Sequence, residues 1–307
     1  MLDIIGIGDT NVDLIVKVDH IPAHDEKLRG VLLGKFPGGI IGNFCAAAAK
    51  FGAATGVVTK LGKDEYGDLC LSDFTKRGIN VAGLVQKENV DTYFCVIHLD
   101  HTGEKALTIV QTTGFLPKKE EINLEYVRGA RYIHMTTLDV DLANYVFEHL
   151  EGSGCVVSLD IEPTSSKVDT SIWNSVFSKL DIAFPNLAGL QALTGQDDSA
   201  KGARYLLDRG VKTVVVTCGS QGVRIYQDHY YYAHPIYQVE VKDTTGAGDC
   251  FNAVFIACLS KGWPIERSAK YASAAAAISI QSVGAREGLP TCDEVESFLR
   301  NRGDLIW

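Results

Sequence analysis

Asp243-Thr244-Thr245-Gly246-Ala247-Gly248-Asp249 leads without a break into Cys250-Phe251-Asn252-Ala253-Val254-Phe255-Ile256-Ala257-Cys258-Leu259. The first part is polar, small and glycine-rich. The second is an apolar run long enough for a helix, stopped by Lys261-Gly262 with Pro264 just beyond. A loop that feeds a helix N-terminus leaves backbone N–H groups without carbonyl partners and sets the positive end of the helix dipole beside them, a ready site for phosphate or another anion. Gly246 and Gly248 admit close backbone approach. Asp249 has two readings. Asp is a good N-cap, and most glycine-rich loops before helices are only turns. Alternatively, Asp249 is a base that takes a proton from a hydroxyl attacking a phosphorus held on the loop amides.

The chain upstream sets the context. Ile4-Ile5-Gly6-Ile7-Gly8 reads as a buried strand ending in a glycine turn, and Gly6-x-Gly8-x-x-Asn11 nearly matches a dinucleotide fingerprint. Asn11 replaces the third glycine, and Val12 to Val18 alternates like a strand instead of opening a helix, which argues against a dehydrogenase. A second extended run covers Gly30 to Phe36. Pro37-Gly38-Gly39-Ile40-Ile41-Gly42-Asn43 then precedes an alanine-lined helix closed by Gly52. That helix either packs tightly on a sheet or presents a second backbone-rich surface to a polyhydroxyl ligand, with Asn43 as donor and acceptor.

Strands recur near 56–59, 132–135, 155–159, 182–184 and 213–217 with helical segments between, one of them from about Asp64 to Arg77. This alternation predicts a three-layer α/β/α fold with a mainly parallel central sheet and ligands at the C-terminal strand ends. The runs near 12–18, 30–36, 92–99 and 106–111 do not fit it and are assigned to a small β-sheet lid. The expected division is a core of residues 1–10, 37–90 and 112–307 with a discontinuous lid of 11–36 and 91–111. Tyr230, Tyr231 and Tyr232 are expected on a sheet edge, and His134 as a satisfied core histidine.

Composition narrows the function classes. Hydrophobic residues make up 46% and charged residues 22% of 307, an ordinary globular balance. Net charge is −9 with no basic block, which argues against nucleic acid or an anionic membrane as partner. Eight scattered cysteines without a C-x-x-C read as reduced core residues, and no secretory signal is visible, so a cytoplasmic protein is expected. No P-loop is present, so a nucleotide would be held without a Walker lysine.

Over essentially its whole length the sequence resembles the ribokinase-like (PfkB-type) carbohydrate kinases. Asp243 to Asp249 is similar to that family's C-terminal signature, and Gly38-Gly39 with Asn43-Phe44-Cys45-Ala46 is similar to its N-terminal one. Gly62 to Gly67 and Val216 to Gly222 also resemble family segments. The resemblance implies ATP- and Mg²⁺-dependent phosphorylation of a hydroxymethyl group on a sugar or related molecule. It makes Asp249 the base and the amides of Gly246, Ala247 and Gly248 the anion hole. It places Asp13, Gly38, Gly39 and Asn43 on the substrate, and Asn186, Thr217, Gly219, Gly222 and Thr244 at the nucleotide. It gives Asp243 and Thr245, with oxygens near Ser282 to Gly288, to a monovalent cation such as K⁺. A nucleoside kinase and a non-catalytic nucleotide or sugar sensor are the alternatives. Exposed lid edges lead to the expectation of a homodimer through the lid.

One departure stands out. The family carries Asn-x-x-Glu at a strand end, whereas Asn186 is followed here by Gly189. Many relatives have Asn where Glu162 sits and Arg where Thr164 sits. Glu162, with Asp160, is the candidate replacement for the missing carboxylate in the Mg²⁺ environment; the plainer reading is a solvated loop acid.

Overall fold

The structure, a computed structural model, describes residues 1–163 and 170–304; Thr164 lies outside them. In chain order the strands of the first half are β1 (Leu2–Ile7), β2 (Asn11–Lys17), β3 (Val31–Gly38), β4 (Thr55–Val58), β5 (Lys60–Gly62), β6 (Val85–Lys87), β7 (Phe94–Leu99) and β8 (Lys105–Val110). The second half supplies β9 (Ala130–Thr136), β10 (Val156–Ile161), β11 (Ile182–Pro185), β12 (Thr213–Thr217), β13 (Val223–Gln227) and β14 (Tyr230–His234). The helices are α1 (Ile40–Lys50), α2 (Glu65–Lys76), α3 (Leu124–Arg128), α4 (Val140–Leu150), α5 (Thr170–Phe177), α6 (Leu187–Thr194), α7 (Ser199–Leu207), α8 (Ala247–Ser260), α9 (Ile265–Ser279) and α10 (Cys292–Arg300).

Eight strands form the central sheet in the order β14-β13-β12-β11-β10-β9-β1-β4. Pairing is parallel from β4 through β12, and antiparallel only where β13 and β14 close the edge. Side-chain alternation separates two cores. Ile4 and Val215 point into one with residues of α1, α8, α9 and α10. Their neighbours Ile5, Ile7, Val214 and Val216 point into the other with residues of α4, α5, α6 and α7. A strand buried on both faces has no polar side to show, which is why β1 and β12 read as continuous apolar runs. Gly6 is a packing residue: a Cβ there would stand 2.5 Å from Cys45 Sγ on α1. The chain then enters β2 and not a helix, so Gly6-x-Gly8 has no helix N-terminus on which to hold a pyrophosphate.

A separate four-stranded sheet has the order β3-β2-β7-β8. Its β2–β7 pair is parallel and its outer pairs are antiparallel. Val12 and Cys95 are buried, Val12 against Leu61 and Cys70, whereas Val31, Leu32, Leu33, Leu107 and Ile109 are exposed on the two outer strands. A third sheet, the parallel pair β5–β6, was absent from the sequence expectation. Three-residue strands are too short for alternation to reveal them.

Candidate active site

The C-terminal ends of the parallel strands share one rim, and each delivers polar groups: Asp9 after β1, Thr137 after β9, Asp160 and Glu162 at β10, Asn186 after β11 and Thr217 at β12. Asp9 is 2% exposed. It accepts hydrogen bonds from the Ile40 and Ile41 amides at 3.1 and 3.3 Å and from the Tyr93 hydroxyl at 2.5 Å, so it seats the N-terminus of α1.

Facing this rim, α8 starts from Gly246, whose φ of 75° lies in the left-handed region. A Cβ there would also stand 2.9 Å from that of Ala285, so conformation and space both call for glycine. No side chain caps the helix. Asp249 is therefore not the N-cap; it lies in the first turn and accepts the Nδ2–H of Asn43 at 2.9 Å. Burial pushes its carboxyl up to about 7, against the pull of the Asn43 bond, with the charges of Asp9 and Glu162 adding to the rise and Arg286 opposing it. A carboxyl in this range serves as a base at neutral pH. Of the three loop residues expected as an anion hole, Ala247 already donates its amide to the Thr244 carbonyl at 3.2 Å. Gly248 faces open space.

The residues expected on the substrate lie where the outer sheet meets α1. Gly38 ends β3 opposite Asn11, and Gly39 immediately precedes α1. Asp13 accepts the Nδ2–H of Asn11 at 2.8 Å, and burial raises its carboxyl. Asn43 is in the first turn of α1 and touches Asp249, so the two signature stretches, 206 residues apart, meet in one hydrogen bond. Arg286 completes this contact and was not singled out from the sequence. It is 6% exposed. Its Nε–H donates to Asn43 Oδ1 at 2.9 Å, its Nη2 to the Gly38 carbonyl at 2.6 Å, and its Nη1 to Asp73 of α2 at 2.6 Å. By occupying Asn43 Oδ1, Arg286 turns the amide NH₂ toward Asp249. A lone arginine in a loop carries no sequence signal for this.

On the other side of Asp249 lies a cavity of about 590 Å³. All five residues expected at the nucleotide line it, as do Gly246, Ala247, Gly248, Asp160 and Glu162. Asn186 caps α6 by accepting the Gly189 amide at 2.7 Å, and it bridges to Thr217. Asn252, one helical turn beyond Asp249, was also missed; its Oδ1 is buried in the cavity wall without a partner among the described residues.

Gly189 has a structural cause. A Cβ there would stand 2.2 Å from the Ile161 carbonyl, so the end of β10 occupies the space a glutamate would need. That same strand end carries Glu162 into the cavity wall, where burial raises its carboxyl and Asp9 adds to the rise; it is not a solvated loop acid. Asp160 is raised further, by burial first and then by Glu162, Asp249 and Asp9. Four carboxyls thus press on one another and hold protons more tightly than isolated acids.

The loop oxygens expected to hold a monovalent cation have a different partner. Asp243 Oδ1 accepts from the Thr245 amide at 3.0 Å and the Thr245 hydroxyl at 2.6 Å, and Oδ2 accepts from the Gly284 amide at 3.0 Å. The Lys105 ammonium, from β8 of the outer sheet, lies 3.2 Å from Asp243 Oδ1 and also donates to Thr245 Oγ1. Burial raises the Asp243 carboxyl, but these bonds and the Lys105 charge outweigh it and bring it down to about 2.

His134 is fully buried and stacked on Phe44, with Nδ1 2.9 Å from Ser158 Oγ, but its Nε2 has no partner among the described residues, so it is only half satisfied. Burial lowers it to about 3, which keeps it neutral. Among the described residues no group of three or more His, Cys, Asp or Glu is placed to hold a metal by itself, and no helix is long and apolar enough to cross a membrane.

Comparison with known proteins places this architecture. Residues 1–292 match the family described as pfkB family carbohydrate kinase. The crystal structure of a ribokinase from Thermotoga maritima superposes with a TM-score of 0.88 at 30% identity, covering 98% of this chain and 100% of that one. An ATP-dependent ribose-1-phosphate kinase from Halopiger xanaduensis is 28% identical over 99% of this chain and 100% of its own length. A ribokinase from Bacillus subtilis is 28% identical over 97% and 100%. A structure of Arabidopsis thaliana ribokinase complexed with ribose and ATP matches at a TM-score of 0.86 and 25% identity, over 97% and 99%. The match runs through both signature stretches and the strands between them: the chain belongs to the pfkB family of carbohydrate kinases, phosphotransferases that use an alcohol group as acceptor.

Proposed function

We propose that this kinase transfers the γ-phosphoryl group of ATP to a hydroxymethyl oxygen of a sugar or sugar-like molecule, with Asp249 as base. The observation that carries the reading is the position of Asp249. It forms a wall of the nucleotide cavity and is also bonded to Asn43 on the substrate side, so one carboxylate reaches both reactants. In the proposed step Asp249 takes the hydroxyl proton, the oxygen bonds to the γ-phosphorus, and the bond from that phosphorus to the β,γ-bridging oxygen breaks, releasing ADP. The Gly246 and Gly248 amides and the α8 dipole hold the charge on the phosphoryl oxygens, with the Ala247 amide shared with Thr244. Asp13, Gly38, Gly39 and Asn43 orient the acceptor. Asn186, Thr217, Gly219, Gly222 and Thr244 border the nucleotide.

The residues present suit a hydrated Mg²⁺. Asp160 and Glu162 offer oxygen donors beside Asp249 in a cluster whose mutual repulsion a divalent cation relieves. When bound, Mg²⁺ supplies neutralisation of phosphate charge. The outer sheet, residues 11–36 and 91–111, is the proposed lid. Its exposed Val31, Leu32, Leu33, Leu107 and Ile109 support a homodimer through that sheet, which sedimentation would test. Reduced, mostly buried cysteines support a cytoplasmic setting.

The deciding assay is ADP release on a panel of pentoses, hexoses, keto-deoxy acids, nucleosides and ribose 1-phosphate, with Asp249→Asn as control. Saturable turnover on a panel member that collapses in the variant supports the reading; equal turnover in the variant removes Asp249 as base. An altered Mg²⁺ requirement in Glu162→Gln is expected, and an unchanged one removes Glu162 from the metal environment.

A further inference from the structure

We propose that the Lys105 ammonium takes the place of a monovalent cation on the Asp243–Thr245 loop and couples the lid to the anion hole. The inference rests on the reading of that loop as the phosphate site. Lys105 opens β8, directly across the ladder from Leu99 of β7, and belongs to the outer sheet, whereas Asp243 and Thr245 belong to the core loop 138 and 140 residues downstream. The side-chain oxygens that could hold an ion there already have partners. Thr245 Oγ1 donates to Asp243 and accepts from Lys105, and Asp243 Oδ2 is taken by Gly284. The Ile280 carbonyl nearby already accepts two amides, those of Lys242 at 2.8 Å and Asp243 at 3.2 Å.

Charge makes the same point. A carboxylate three residues before the first anion-hole glycine repels the phosphates bound there unless a cation neutralises it, and Lys105 supplies that cation covalently. A second, diffusible cation on the same oxygens would stand about 4 Å from the ammonium. At an effective dielectric constant near 20, that repulsion weakens its binding by about a thousandfold. The fold adds a mechanical consequence. Gly246 is pressed against Ala285, and the neighbouring Gly284 amide is bonded to Asp243, so whatever fixes Asp243 also fixes the start of α8. Because Lys105 rides on the outer sheet, its bond to Asp243 forms only when that sheet lies against the core. The competing reading is a half-exposed surface pair that contributes nothing measurable.

ADP affinity and thermal melting, measured in potassium, sodium and tetramethylammonium chloride at equal ionic strength, separate the two without relying on turnover. The wild type is expected to bind ADP within about twofold in all three salts. Lys105→Ala is expected to bind about tenfold more weakly in tetramethylammonium and to regain affinity and melting temperature in potassium. Lys105→Gln serves if the alanine variant does not fold. A potassium-dependent wild type overturns the proposal, as does a variant that matches the wild type in tetramethylammonium. If wild-type ADP binding is absent in every salt, the phosphate-site reading itself fails and this proposal fails with it.

Discussion

Replacing Asp249 by asparagine should make the protein more stable while disabling it, and the size of the gain follows from the burial of that carboxyl. Its folded value is about 7 against an ordinary 3.8. Each pH unit of displacement corresponds to about 1.4 kcal/mol, so above pH 7 the ionised group opposes folding by about 4 kcal/mol. Because the folded state holds the proton more tightly, this cost is absent below pH 3.8, grows as pH rises through the interval, and is complete above about 7. The introduced amide can still accept the Asn43 bond through its own oxygen, although its NH₂ needs a new partner, which lowers the expected gain to about 2–4 kcal/mol at pH 8. Asp9, Asp160 and Glu162 share the cluster, so the titration spreads over all four acids. Urea unfolding of both proteins from pH 5 to pH 8.5 measures the difference, which should widen with pH. Turnover should fall by about 10²- to 10⁴-fold. A difference independent of pH, or a variant less stable at pH 8, would refute the assignment of Asp249 as a buried, proton-hungry base.

Three other substitutions probe its surroundings. Asn43→Ala removes a hydrogen bond worth about 1.5–3 kcal/mol to the charged carboxylate, so the acid limb of the kcat/KM profile should move up by about one to two pH units; an unmoved limb would disconnect Asn43 from the base. Gly189→Ala forces a methyl group against the Ile161 carbonyl and should cost about 1–3 kcal/mol in urea unfolding, with Gly189→Glu worse, so that restoring the family's glutamate here harms the protein. Arg286→Gln removes the buried guanidinium from Asn43, the Gly38 carbonyl and Asp73, although Asp73 keeps its bond to Arg77, and should destabilise by about 1–3 kcal/mol. Arg286→Lys keeps the charge but not the three-way fork, and should recover stability more than turnover.

Much of the architecture was legible because parallel strands buried on both faces leave long apolar runs, and because glycine-to-helix junctions carry a local signature. The Asp243–Asp249 loop could be read as an anion site from its own residues. The choice between N-cap and base could not, since it depends on Asn43, which no local pattern ties to it. Gly189 was visible as a departure, but its cause, the Ile161 carbonyl, belongs to another strand. Arg286 lay in a segment expected to contribute oxygens, and its side chain proved to be what orients Asn43 where the two signatures meet. Lys105 lay between two runs assigned to the lid, and a strand pattern says nothing about where a long, flexible side chain ends. In each case the missing information is a distance between segments remote in sequence.

That remoteness bears on how the enzyme is made. The bond from Arg286 to Asn43 spans 243 residues, so a chain leaving the ribosome exposes its acceptor-side residues long before the arginine that orders them. At about 5–20 residues per second, the interval is about 12–50 s. For the first 206 residues of it the nascent protein has Asn43 but not Asp249, and until its end it lacks the guanidinium that orients Asn43. A chain terminated before Asp249 therefore lacks the proposed base, and one terminated before Arg286 lacks the group that orients Asn43.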